Sequence, residues 1–167
     1  MVQYTWREQK GMATAFEDYE ISEQYKNLAV KIAQKRNDLR WLVDNDHFDD
    51  IVFVISYAPK KNKSSTFADT RKVKGSYKAF CPYALIVTIY EPVASMLSDN
   101  QIKILLYHEL LHIGHNGECY ILQEHDVQDF YRLLKKYGVD WSRPGNDNVP
   151  DILQPDDEDD DEDEDEG

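Results

Sequence analysis

The sequence predicts an α+β domain in which a small mixed sheet packs against a buried helix. Two runs are β-branched and apolar at strand length, Ile51-Val52-Phe53-Val54-Ile55 and Ala84-Leu85-Ile86-Val87-Thr88-Ile89-Tyr90. Two other stretches, after Ser22 and after Ser98, repeat apolar residues at helical spacing. Polar, turn-forming segments at Asp44-Asn45-Asp46 and from Pro59 to Ser65 separate these patterns.

Ser22 reads as the N-cap of the first helix. Glu23 follows it, and Tyr25, Leu28, Ala29 and Ile32 carry the stripe to about Arg36. The Ile51–Ile55 run has no polar member, which predicts a strand buried on both faces. A weaker strand is expected around Arg71 to Ala79. Ser98-Asp99-Asn100-Gln101 has capping-box spacing and opens a helix through Ile102, Leu105, Leu106, Leu110 and Ile113. Apolar residues occupy most of its circumference, so it should be deeply buried, and Gly114 and Gly117 are expected to end it. After a short segment from Cys119 to Leu122, a last helix is expected from about His125 to Tyr137. Its inner stripe is Val127, Phe130, Tyr131 and Leu134, and Gly138 is its stop.

At 167 residues the chain suits one compact domain. The formal charge of −13 is concentrated: eleven acids lie between Asp156 and Glu166, and the remaining 21 face 19 bases. The expected organisation is a folded domain over 1–142, a linker over 143–155 rich in turn residues, and a disordered acidic tail over 156–167. No apolar leader follows Met1 and no run has the length of a membrane span, so a cytoplasmic protein is expected. Cys81 and Cys119 are far apart and read as reduced thiols.

The chemistry concentrates in His108-Glu109-Leu110-Leu111-His112. Two histidines four residues apart on a helix share a face, one turn apart. Two neutral imidazoles so placed can grip one Zn²⁺ at about 2.0–2.1 Å each. Glu109 then stands beside a metal-activated water as general base for peptide hydrolysis. Without a metal, two imidazoles and a carboxylate on an apolar helix would cost several kcal/mol to bury. A third protein ligand is required; the candidates are His115, Glu118, Glu124, His125 and Asp126. His125 is favoured because a hairpin-like return through Cys119 to Leu122 would bring it over His108 and His112.

Tyr107-His108-Glu109-Leu110-Leu111-His112-Ile113, followed by His125-Asp126-Val127-Gln128-Asp129-Phe130, resembles the putative phage metallopeptidase family, small domains found in phage and prophage genomes. The resemblance spans roughly residues 22–137. It implies a minimal zincin-like fold and a zinc-dependent peptidase. A more distant similarity is to SprT-like zinc proteases, which implies His108, His112 and His125 as ligands and Glu109 as base. The zinc-ribbon cysteines of many SprT-like proteins have no counterpart here. If phage encoded, the protein would work in the host cytoplasm on a peptide or protein substrate.

Around this motif, Tyr107, Tyr120 and Tyr131 are candidate oxyanion donors, and Asp126 and Asp129 candidate orienters of a liganding imidazole. The strand Leu85–Tyr90 is expected beside the helix, as an edge that can pair with substrate backbone. From Lys60 to Lys78 seven cations stand against the single acid Asp69. That basic stretch would suit weak nucleic-acid contact or docking of the acidic tail. The competing readings are a non-catalytic zinc-binding interaction protein and an acidic nucleic-acid mimic used in host takeover; the carboxylate of Glu109 argues for the enzyme.

Overall fold

The computed structural model describes residues 18–125 and 129–154. It is a mixed α+β structure. Strand β1 (Tyr19–Ile21) leads into helix α1 (Glu23–Lys35), short helix α2 (Arg40–Asp44) and strand β2 (Ile51–Ser56). Edge strand β3 (Ala68–Lys72), strand β4 (Leu85–Tyr90) and the single turn α3 (Glu91–Ala94) precede the long helix α4 (Asp99–Leu111). Strands β5 (Ile113–His115) and β6 (Tyr120–Leu122) form a hairpin, and helix α5 (Tyr131–Tyr137) follows.

The sheet order is β1-β2-β4-β3. β2 and β4 are parallel from Ile51↔Leu85 to Ser56↔Tyr90, while β1 and β3 pair antiparallel to their neighbours. A parallel pair needs a long connection; here it carries β3 to the outer edge before β4 returns to the centre. Alternation puts Ile51, Phe53, Ile55, Leu85, Val87 and Ile89 on one face, all buried in a single core with Ala29 and Ile32 of α1 and Leu106 and Leu110 of α4. Truncating one of these, Leu106 for example, is expected to cost about 2–5 kcal/mol.

Both expected N-caps are present. Ser22 Oγ accepts from the Tyr25 amide, and Ser98 and Gln101 exchange their two bonds as a capping box. Four expectations need correction. α4 stops at Leu111, with His112 as its cap, and Gly114 lies inside β5 instead of ending the helix. A Cβ there would meet Gln123 Nε2 at 2.9 Å, so this glycine admits the returning strand. The weak strand is β3, displaced toward the N-terminus, and Gly75–Ala79 is a 3₁₀ turn. β4 is internal, so the edge beside α4 is β3, not Leu85–Tyr90. The last helix begins at Tyr131, because His125, Asp129 and Phe130 are drawn into the site described below.

The stretch read as a linker packs on the body over residues 143–154. Val149 and Ile152 are buried in the common core. Asn100 donates to the Val149 carbonyl and Lys103 pairs with Asp151 at 2.8 Å. Single apolar anchors in a polar stretch leave no periodicity to read. The acidic tail over 156–167 lies outside the described residues. No helix among them is long and apolar enough to cross a membrane.

Candidate metal centre

α4 brings His108 and His112 to one face, and the hairpin returns the chain so that His125 meets them. The three Nε2 atoms lie 3.1 Å (His125 to each of the others) and 3.3 Å (His108 to His112) apart. The far nitrogens of the two helix histidines are anchored. His108 Nδ1 faces Asp129 Oδ1 at 2.6 Å, and His112 Nδ1 faces the Gln123 carbonyl at 2.7 Å. Both partners are acceptors, so each Nδ1 carries the proton and each Nε2 presents a lone pair to the centre. The lone pairs of His108 and His112, 3.3 Å apart, repel unless a cation or a proton on the His125 ring nitrogen lies between them. Three nitrogens bound tetrahedrally at about 2.0–2.1 Å would stand about 3.3–3.4 Å apart, close to what is seen. The three imidazoles can therefore hold a metal ion, and they form a group of potential ligand atoms within 4.8 Å of one another.

Burial pushes the His112 imidazole below its ordinary value, with the His108 and His125 rings acting in the same direction and the Gln123 carbonyl against them. A neutral ring is what metal ligation needs. Asp129 is held below the usual carboxylate range. Burial alone would raise it, but His108, the Trp141 indole (Nε1 to Oδ2, 2.8 Å) and the Phe130 amide together outweigh burial. Phe130 packs its ring edge-on against all three imidazoles at 5.0–5.4 Å.

Glu109 adjoins this centre. Its side chain is 3% exposed and takes a 2.7 Å bond from Thr70 Oγ1 of β3, which also touches the Glu109 carbonyl. Burial pushes its carboxyl up to about 7, offset in part by His108 and Thr70. A cleft of about 270 Å³ is lined by Ala68, Asp69 and Thr70 of β3, by Leu122, and by Glu109 with the three histidines. Beside it, Asp69 Oδ2 gathers Lys60 (2.6 Å), Arg71 (3.0 Å) and the Tyr90 hydroxyl (2.9 Å).

A family described as "Putative phage metallopeptidase" matches residues 17–149. The chain belongs to this family. Comparison with curated proteins and with solved structures gives no match. The family name suggests a peptidase-type protein that uses a metal ion, and the histidine cluster is a group that could hold one.

The other candidates weighed as metal ligands lie elsewhere. The His115 ring packs against His47 and Tyr120, and its Nδ1 accepts from the Gly117 amide. Glu118 lines a separate cavity, Glu124 another, and Asp126 is outside the described residues. None of the three tyrosines lines the cleft. Tyr107 donates to Asp38, Tyr120 donates to Asp50 and bonds His47, and Tyr131 is exposed, so none is placed as an oxyanion donor. Cys81 and Cys119 are free thiols. Sequence reasoning missed Thr70, Gln123 and Trp141. Each acts through a long-range contact that leaves no local pattern.

Proposed function

We propose that this chain is a zinc-dependent peptidase of minimal zincin-like fold, phage or prophage encoded, with His108, His112 and His125 as metal ligands and Glu109 as general base. The observation that carries the reading is the convergence of imidazole lone pairs on one point beside a buried carboxylate. A structural metal site would have no use for that carboxylate. Three neutral nitrogens at tetrahedral spacing suit zinc, with a fourth position left to water or substrate. When bound, such an ion would polarise a carbonyl oxygen and lower the pKa of water.

The chain's own residues do the rest. Glu109 accepts the proton of the attacking water and delivers it to the leaving amine. Its raised proton affinity suits a group that must both take and give a proton near neutral pH. Thr70 holds the carboxylate in one rotamer through Oε2. Asp129 and the Gln123 carbonyl fix the tautomers of His108 and His112. β3 is the outer strand of the sheet among the described residues and lines the cleft, so an extended peptide can add to that edge.

The test is metal analysis of the purified chain together with hydrolysis of a broad peptide library by wild type and Glu109→Gln. Stoichiometric zinc, with cleavage lost in the variant, is the expected result. A chain that takes up no zinc, or a variant that cleaves as wild type does, overturns the reading.

A further inference from the structure

The excursion between β2 and β4 builds a second surface, one the peptidase reading does not use. From Asp69 to Glu91 the sequence contains no other acid, while Arg71, Lys72, Lys74 and Lys78 are all present. Gly75, at a φ of +60°, turns the chain out of β3 into the 3₁₀ segment Gly75–Ala79. That turn leaves two aromatic rings in solvent: Tyr77 is 64% exposed and Phe80 72%, with ring centroids 5.6 Å apart in an edge arrangement. Lys74 and Lys78 are exposed alongside them. A groove of about 570 Å³ runs beneath, lined by Arg71, Lys74, Tyr77 and Ile86 among others.

Exposed large aromatics side by side are unusual on a polar surface, and packing does not explain these two. Neither ring belongs to the core. Exposed cations beside open aromatic rings form an arrangement that binds single-stranded nucleic acid: phosphates meet the cations and unstacked bases lie on the rings. We propose that this exposed surface binds single-stranded nucleic acid, with Lys74 and Lys78 on phosphates and Tyr77 and Phe80 as stacking platforms. A duplex keeps its bases stacked on each other and has no face to offer the rings. An acidic peptide would satisfy the cations and leave both rings unused. The net charge of −13 belongs mainly to residues 156–166, outside which 21 acids stand against 19 bases.

Binding is measured by fluorescence anisotropy on the full chain, in chelator so that neither metal loading nor hydrolysis enters. The probes are a short labelled oligothymidylate, a duplex of the same length, and a polyglutamate of matched charge. The oligothymidylate should bind best. Two neutralised phosphates imply a drop of about sevenfold between about 50 and 200 mM salt. Tyr77→Ala and Phe80→Ala should each weaken binding about tenfold with the salt slope unchanged. Lys74→Glu with Lys78→Glu should flatten the slope. These are exposed positions, and unchanged circular dichroism confirms folded variants. Equal binding of duplex or polyglutamate, no binding at low salt, or wild-type affinity after removal of both rings each overturns the proposal.

Discussion

Glu109→Gln in the metal-free protein tests the electrostatics of the site without reference to turnover. Burial raises the carboxyl from 4.5 to about 7, so between those values the folded chain holds a proton that the unfolded chain releases. Where the native state binds more protons, stability falls as pH rises. The loss begins near the unfolded value and is complete above the folded one. A displacement of that size corresponds to about 3 kcal/mol, of which about 2.5 kcal/mol falls between pH 5 and pH 8. Glutamine keeps an oxygen for the Thr70 hydroxyl and carries no charge. The variant should therefore gain on wild type by about 2–3 kcal/mol as pH rises over that interval, or about 10 °C in midpoint. Urea titrations of both proteins at the two pH values, in chelator, measure the difference; titrating groups not coupled to Glu109 are common to both and cancel. A variant whose advantage is the same at pH 5 and pH 8 would refute the claim that burial governs this carboxylate.

Asp129→Asn removes the charge behind His108 while keeping the shape, and zinc affinity in a chelator competition should fall about 10–100-fold; unchanged affinity would remove Asp129 from the site. Thr70→Val deletes the bond that favours the ionised Glu109, so the acidic limb of the pH–rate profile should move to higher pH by up to about one unit. Ser98→Ala should cost about 1 kcal/mol as a lost cap. Gln101→Ala should cost more, about 2–4 kcal/mol, because its amide also serves the Trp141 and Arg143 carbonyls at 2.8 and 2.7 Å in a nearly closed interior. Denaturant midpoints rank the last two.

Local signals were readable and long-range ones were not. The caps at Ser22 and Ser98 and the two apolar strands declare themselves within a few residues, and their positions match. The meeting of His108, His112 and His125 was also legible, because one turn of helix and one hairpin are enough to build it. β3 was misplaced because Asp69, Thr70, Arg71 and Lys72 make a polar edge strand, whose identity comes from pairing with β4. The final helix begins later than its pattern suggests because the side chains of His125, Asp129 and Phe130 are committed to the site. Gln123 contributes through its backbone carbonyl, which no side-chain pattern can announce.

The support of the centre closes on itself. Gln101, in the first turn of α4, holds the Trp141 carbonyl; the Trp141 indole holds Asp129; Asp129 holds His108, two turns further along the same helix. Gln123 closes a second, shorter circuit, since its amide donates to the His112 carbonyl and its carbonyl accepts from the His112 ring, both at 2.7 Å. His108 and His112 are thus oriented from outside the helix, ready for a cation to bind between them. Orientation fixed in advance lowers the entropy to be lost on binding and sharpens the geometry. The same logic explains why segment 143–154 stays on the body: it begins at Arg143, whose carbonyl Gln101 also holds, and its anchors return to Asn100 and Lys103. A stretch rich in turn residues therefore serves as the outer brace of the helix that carries the chemistry.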